Sequence, residues 1–254
     1  MKSIEELRER LNSASCREAE GRVADWLVER ERHYGGVCRH VPRRTVSPHD
    51  PRAGDVIQNG GMIGGDRMAD HGYAADYAEF LMPFIKRPEN RIVLAEVGIL
   101  KGTGLALWAD LFPRGRIIGL DIDLSHTREN IPHLRERGGF VNNEPELYEY
   151  DQFVDERARV RKILGRDRIH IYIDDGFHEE QTILQSFASI HRFLAKTFVC
   201  FIEDNPHIWW RLQELYPQYT VRRRGELTIV TRSPWWLNIK RRMGLARRRV
   251  FGSR

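Results

Sequence analysis

The chain has 254 residues, 41% of them hydrophobic, and a formal net charge of +5. That length and apolar share suit one sizeable domain with additions and a proper core. No apolar run approaches the length that spans a bilayer, and the N-terminus is charged from Lys2 onward, so the chain is read as soluble and cytoplasmic.

Residues 3–34 carry Leu7, Leu11, Val23, Trp26 and Leu27 near helical spacing among many Glu and Arg residues, which predicts a helix stopped by Gly35 and Gly36. Its isolation from later elements suggests a cap or a dimer-forming arm. Pro42, Pro48 and Pro51 mark residues 40–55 as a linker, so residues 1–58 read as a helical arm with its linker. The glycine-rich stretch from Gly60 to Arg67 is too flexible for a helix and suits a loop that approaches a ligand; an ordinary surface loop explains it equally well. His71-Gly72-Tyr73 leads into a helix over Ala74–Ile85. The cysteines Cys16, Cys38 and Cys200 are odd in number and not spaced like a metal site, which suits reduced structural thiols.

From Arg91 an alternating α/β pattern begins. Residues 92–97 read as a buried strand, and Glu96-Val97-Gly98 with Lys101-Gly102-Thr103-Gly104 forms a glycine loop before a helix over 105–111. Glycines there let backbone amides approach a ligand closely. No Gly-Lys-Ser/Thr follows, which excludes a phosphate-binding P-loop. Glu96 disfavours a phosphate and suits a ligand with an ammonium group. A second strand over 116–120 ends at Asp121-Ile122-Asp123. Asp121 lies 23 residues after Gly98, placed to accept two hydrogen bonds from a ribose diol. After a polar excursion over 138–146, a short third strand ends at Asp151-Gln152, positioned toward an adenine edge.

A helix over 154–164 precedes the run Ile171-Tyr172-Ile173-Asp174-Asp175-Gly176-Phe177-His178, an apolar strand that delivers polar groups to a sheet rim. A second run, residues 198–202, ends in Glu203-Asp204, 28 residues after Asp175, with a helical pattern over 180–194 between them. In such a strand-helix-strand unit both strands point the same way, so Asp175, Glu203 and Asp204 converge. Clustered carboxylates repel unless a cation lies between them, and hard oxygen ligands favour Mg²⁺. Asp174 and Asp175 also suit a plain helix N-cap. His207 is a candidate pocket wall, and Trp209 and Trp210 suit either a core helix over 209–216 or a sugar-stacking surface. A hairpin over 219–224 and 227–231 closes the sheet. The tail holds Lys240, Arg241, Arg242, Arg247, Arg248, Arg249 and Arg254 without acids, leaving the remaining chain at −2, seven below the total of +5. The body is therefore not a basic nucleic-acid reader. The tail suits either a solvated terminus or contact with an anionic polymer or membrane face.

These motifs resemble the class I S-adenosylmethionine-dependent methyltransferases. Ile173-Asp174-Asp175-Gly176-Phe177-His178 with Ile202-Glu203-Asp204 is similar to the Mg²⁺-dependent sugar O-methyltransferases of macrolide pathways, of the mycinamicin and tylosin kind, with mycobacterial methylmannose polysaccharide enzymes in the same neighbourhood. Gly64-Gly65-Asp66-Arg67 is similar to that family's Gly-Thr-Asp-Lys segment, with Gly65 for Thr and Arg67 for Lys. The resemblance implies a Rossmann-like, doubly wound, seven-stranded sheet, mostly parallel with a C-terminal antiparallel hairpin, over residues 59–234, with a helical arm before it and a basic tail over 235–254. It implies S-adenosylmethionine or S-adenosylhomocysteine held by Gly65, Asp66, Arg67, Glu96, Gly98, Lys101, Gly102, Gly104, Asp121, Asp123, Asp151, Gln152 and Asp174. Mg²⁺ would be held by Asp175, Glu203 and Asp204, and His178 would be the general base. The implied partner is a sugar-containing small molecule or oligosaccharide; charge and apolar runs argue against nucleic acid and a transmembrane segment, and the amphipathic arm and Gly60 loop suit a homodimer. Two alternatives stand beside this: methylation of a catechol-like diol, which also needs a metal, and a non-catalytic binding protein using its basic tail.

Overall fold

A computed structural model of the chain describes residues 3–11, 14–35, 65–87 and 91–233. The 40–55 linker, Cys38, the glycines at 60–64, the boundary at 58/59 and the basic tail lie outside the described residues. Where one long N-terminal helix is expected, there are two, α1 (Ile4–Leu11) and α2 (Cys16–Gly35). Each begins with a reciprocal serine–glutamate cap. The Ser3 Oγ accepts from Glu6 N–H at 3.1 Å while Glu6 accepts from Ser3 N–H at 3.2 Å, and Ser15 and Glu18 repeat the exchange at 3.4 and 2.9 Å. The second cap restarts the helix.

The arm packs into the main domain rather than standing apart from it. Leu7, Leu11, Val23 and Leu27 are buried in one cluster with residues of α3 (Ala74–Ile85) and α4 (Thr103–Leu111). Each such side chain contributes about 1.5–3 kcal/mol when fully buried. Tyr34 and Arg30 of α2 both reach the Asp110 carboxylate of α4, at 2.6 and 2.8 Å.

The remaining elements are β1 (Val93–Val97), β2 (Arg116–Asp121), α5 (Ser125–Glu136), β3 (Glu146–Glu149), α6 (Arg157–Leu164), β4 (Ile169–Asp174), α7 (Glu180–Ile190), β5 (Leu194–Ile202), α8 (Ile208–Leu215), β6 (Tyr219–Arg224) and β7 (Leu227–Arg232). They form a seven-stranded sheet in the order β3-β2-β1-β4-β5-β7-β6. The first five strands pair parallel, and β7 runs against both neighbours. This is the expected doubly wound, Rossmann-like sheet with its antiparallel hairpin. No helix among the described residues is long and apolar enough to cross a membrane.

Strand alternation assigns the two faces. Leu94, Ile171, Ile173, Val199 and Phe201 join the cluster under the α1–α5 side. Val93, Ala95, Tyr172, Cys200 and Ile202 join the other, with Val160 of α6, Phe187 of α7 and Leu212 of α8. Helix α5 is an element that the sequence pattern does not announce, because few apolar residues mark it and Pro132 lies inside it. The helix expected over 180–194 stops at Ile190; a single 3-10 turn, His191–Phe193, then feeds β5, which starts at Leu194 rather than 198. Trp209 and Trp210 are not core: they stay 37% and 47% exposed on α8.

Candidate active site

The strand order reverses between β1 and β4, and at such a switch point the crevice beyond the carboxyl ends is where open α/β sheets bind ligands. The register levels the rim: Val97 pairs with Asp174, and Asp174 with Ile202. The ladder runs one residue further, with Asp175 N–H donating to Val97 O at 2.9 Å and Glu203 N–H to Asp174 O at 3.0 Å. With a side-chain period of two, Glu96, Asp175 and Glu203 share the face of Ile173 and Phe201, while Asp174 falls on the opposite face with Tyr172.

Those three acids meet on Arg67. Its Nη2 donates to Glu96 at 2.6 Å and to Asp175 at 2.7 Å, and its Nε lies 2.8 and 2.9 Å from the two Glu203 oxygens. Burial alone would lower the guanidinium pKa, but Glu203, Glu96 and Asp175 outweigh it and hold Arg67 well above its ordinary value. Burial also raises Glu96 and Glu203 above the usual carboxylate range, with Arg67 opposing it in both. Tyr77 of α3 donates to Glu203, and Trp108 Nε1 of α4 to Glu96 at 3.1 Å. Glu31 of α2 fixes the start of this loop by accepting from Met68 N–H at 2.7 Å and Ala69 N–H at 3.2 Å.

A cavity of about 430 Å³ opens above the switch point, within the range of small-molecule sites. Of the expected cofactor residues, Gly65, Asp66, Arg67, Glu96, Gly98, Lys101, Gly104, Asp121, Asp123 and Gln152 line it. Gly98 has φ +80°, and a Cβ there would collide with the Asp175 carbonyl. A Cβ on Gly104 would meet Glu96 Oε1 at 2.5 Å. Both glycines therefore answer to close approach. Asp121 organises the loop as well as the wall: its Oδ2 accepts from Leu100 N–H and its Oδ1 from Asp123 N–H, each at 3.0 Å. From α5, Thr127 donates to Leu100 O at 2.7 Å and Asn130 to Lys101 O at 2.8 Å.

Gly102, Asp151 and Asp174 do not line the cavity. Gly102 is the left-handed cap of α4. Asp151 closes its own turn by accepting from Phe153 N–H at 2.9 Å. Asp174 is buried behind the wall, where Gln152 Nε2 donates to it at 2.8 Å and Tyr172 at 3.2 Å; burial pushes its pKa up to about 6. Gln152 is spent on the protein, since its Oε1 accepts from Phe177 N–H at 2.8 Å. It braces Phe177, which meets Phe153 with ring centroids 5.0 Å apart at the cavity wall.

At the other end, ligand atoms of Asp175, His178 and Asp204 all lie within 4.8 Å of one another. His178 Nε2 is 3.8 Å from Asp175 Oδ1 and 4.0 Å from Asp204 Oδ2. Its Nδ1 lies 3.3 Å from Glu203 O, which favours a proton on Nδ1 and a lone pair on Nε2. The two carboxylates are oxygen donors that fit a hard divalent ion, and the imidazole stands beside them with its Nε2 lone pair free. Glu203, expected as the third ligand, is instead turned inward, where Arg67 and Tyr77 of α3 bond its carboxylate. Tyr73 donates to Asp204 Oδ1 at 2.7 Å, and His71 Nδ1 is 3.4 Å from the same oxygen. His207 is exposed outside the cavity. Glu31, Trp108, Thr127 and Asn130 carry no motif in the sequence; Tyr73, the N-cap of α3, and Tyr77 in its first turn do, being four apart.

No protein-family model matches the sequence, and no curated protein does. Solved structures are similar in fold. One is the MycE methyltransferase from the mycinamycin biosynthetic pathway in complex with Mg and SAH, at 20% identity and TM-score 0.49 over 65% of this chain and 50% of that one. The same enzyme with Mg, SAH and mycinamycin VI gives 20% and 0.48 over 66% and 52%. The O-methyltransferase TomG from Streptomyces achromogenes in complex with SAM gives 14% and 0.44 over 61% and 78%. The chain spans about half the length of the MycE structures it matches.

Proposed function

We propose that the protein transfers a methyl group from S-adenosylmethionine to a hydroxyl of a sugar or glycoside, with a divalent ion, Mg²⁺ by preference, at the Asp175–Asp204 pair. The observation that carries this is one cavity with two ends: Asp121 and the glycine loop at one, His178 with two carboxylates at the other. The acidic lining suits a cofactor that carries a sulfonium and an ammonium charge. Phe153 and Phe177 offer apolar faces to an adenine ring.

A bound divalent ion would supply Lewis acidity that lowers the cost of an alkoxide from a hydroxyl. His178 accepts the hydroxyl proton on Nε2, as the Nδ1 contact to the Glu203 carbonyl keeps the ring oriented. The oxygen–carbon bond forms as the carbon–sulfur bond breaks, with the electron pair leaving on sulfur. The protein's main task is alignment, since the methyl is already activated. Arg67 keeps Asp175 from turning away from the rim, and Tyr73 does the same for Asp204.

Calorimetry with S-adenosylhomocysteine tests the cofactor. A panel of glycosides and catechols, incubated with S-adenosylmethionine and Mg²⁺ and read by mass spectrometry, tests the acceptor. Methylation of glycosides in preference to catechols is expected. Absence of nucleoside binding would overturn the whole proposal, and methylation of catechols alone would overturn the sugar.

A further inference from the structure

His178 and Asp204, which face each other across the rim, are both held at positive φ, +63° and +54°. Neither is a glycine, and left-handed backbone at an ordinary residue persists only where surrounding contacts impose it. For His178, Asn205 makes such a contact. Its Nδ2 donates to the His178 carbonyl at 2.8 Å, and its Oδ1 accepts from His207 N–H and Ile208 N–H, both at 2.9 Å. Its own N–H donates to Glu226 O at 3.2 Å, in the turn of the β6–β7 hairpin. The amide orientation is unambiguous, because the flipped form would set its NH₂ against two backbone N–H groups. The side chain thus joins the β4–α7 loop to the start of α8, and the backbone of the same residue ties both to the closing hairpin.

We infer that Asn205 is a positioning residue that holds His178 in its left-handed backbone and so aims the imidazole at the Asp175–Asp204 rim. The inference rests on the proposed role of His178 in proton removal. Without the Nδ2–H donor the His178 carbonyl has lost its tether and the residue relaxes toward ordinary backbone angles, which swings the ring. The next residue, Pro206, helps: a residue before proline is disfavoured in helical backbone, which keeps Asn205 outside α8.

The discriminating variant is Asn205→Asp. It keeps the size and the acceptor that caps α8, so the fold survives, but it sets an oxygen against the His178 carbonyl. Asn205→Ala, which loses both contacts, is the second variant. In full-length protein labelled with [¹³C]histidine, the His178 ring resonance is identified by its loss in His178→Gln. In Asn205→Asp that resonance is expected to move or broaden while those of the other histidines stay, and a crystal structure should show His178 outside the left-handed region. On a glycoside that the wild type methylates, kcat is expected to fall roughly 100-fold, the scale of an ångström of misplacement, with S-adenosylhomocysteine affinity unchanged. A wild-type His178 resonance and backbone in both variants would overturn the inference, as would an unchanged kcat. If the wild type methylates nothing, the proposed function fails, while the resonance and backbone of His178 still decide for or against the clamp.

Discussion

Replacing Arg67 by Met removes the cation that, among the described residues, bonds Glu96, Asp175 and Glu203 together, and keeps a side chain of similar length. Arg67 is 7% exposed, and Glu96 and Glu203 are 1% and 2% exposed. Taking away one partner of a buried ion pair costs about 3–5 kcal/mol because the other charge is left unpaired. For a chain of this size each kcal/mol is about 2–4 °C in Tm, so a fall of roughly 6–20 °C is expected. The deficit must also depend on pH. Burial already holds Glu96 and Glu203 above their ordinary value of 4.5, and loss of Arg67 raises them further. An acid whose pKa is higher in the folded than in the unfolded chain binds more protons when folded. Its destabilising effect is absent below the unfolded value and complete above the folded one. The gap between variant and wild type should therefore be narrow near the ordinary value of 4.5 and widen as the pH rises through the raised folded values. Calorimetric melting in EDTA across that range measures both. A Tm within about 2 °C of wild type at the alkaline end of that range, or a deficit that ignores pH, would refute the assignment of Arg67 as the internal counter-ion.

His178→Ala should lower turnover by roughly 10²–10⁴-fold with S-adenosylhomocysteine binding intact, and normal turnover would remove the histidine from proton transfer. Asp121→Ala should weaken S-adenosylhomocysteine by roughly ten- to a hundredfold in calorimetry, the scale of a lost hydrogen bond to a charged group; equal affinity would mean the ribose is held elsewhere. Chelation with EDTA should stop methylation and Mg²⁺ should restore it, and full activity after exhaustive chelation would dispose of the divalent ion. Gly98→Ala drives a methyl into the Asp175 carbonyl, so it should lose nucleoside binding and lower the melting temperature. Wild-type values for both would show that the rim yields more than close packing allows.

Much of the rim was legible because its signals are local. An apolar run ending in Asp174-Asp175 and another ending in Glu203-Asp204 mark two strand ends, and the helix between them requires that they be parallel. Gly98, Gly104 and Asp121 follow from the strand-loop-helix pattern, and all three line the cavity. Helix α5 escaped because its sparse apolar residues and Pro132 blur the period. Trp209 and Trp210 escaped because helical spacing does not say which face meets the core.

What the linear order of residues determined by itself was the succession of strands and helices, and hence a doubly wound sheet whose acidic strand ends share one edge. Only the tertiary structure decided how those acids are divided. Register and side-chain alternation put Glu96, Asp175 and Glu203 on one face, where Arg67 gathers them, and put Asp174 on the other with Gln152. The supports of that arrangement, Glu31 beneath Met68 and Asn205 beneath His178, come from residues 37 and 27 positions away. Contacts across such separations leave no periodicity in the chain, because they exist only after the sheet has brought its loops together.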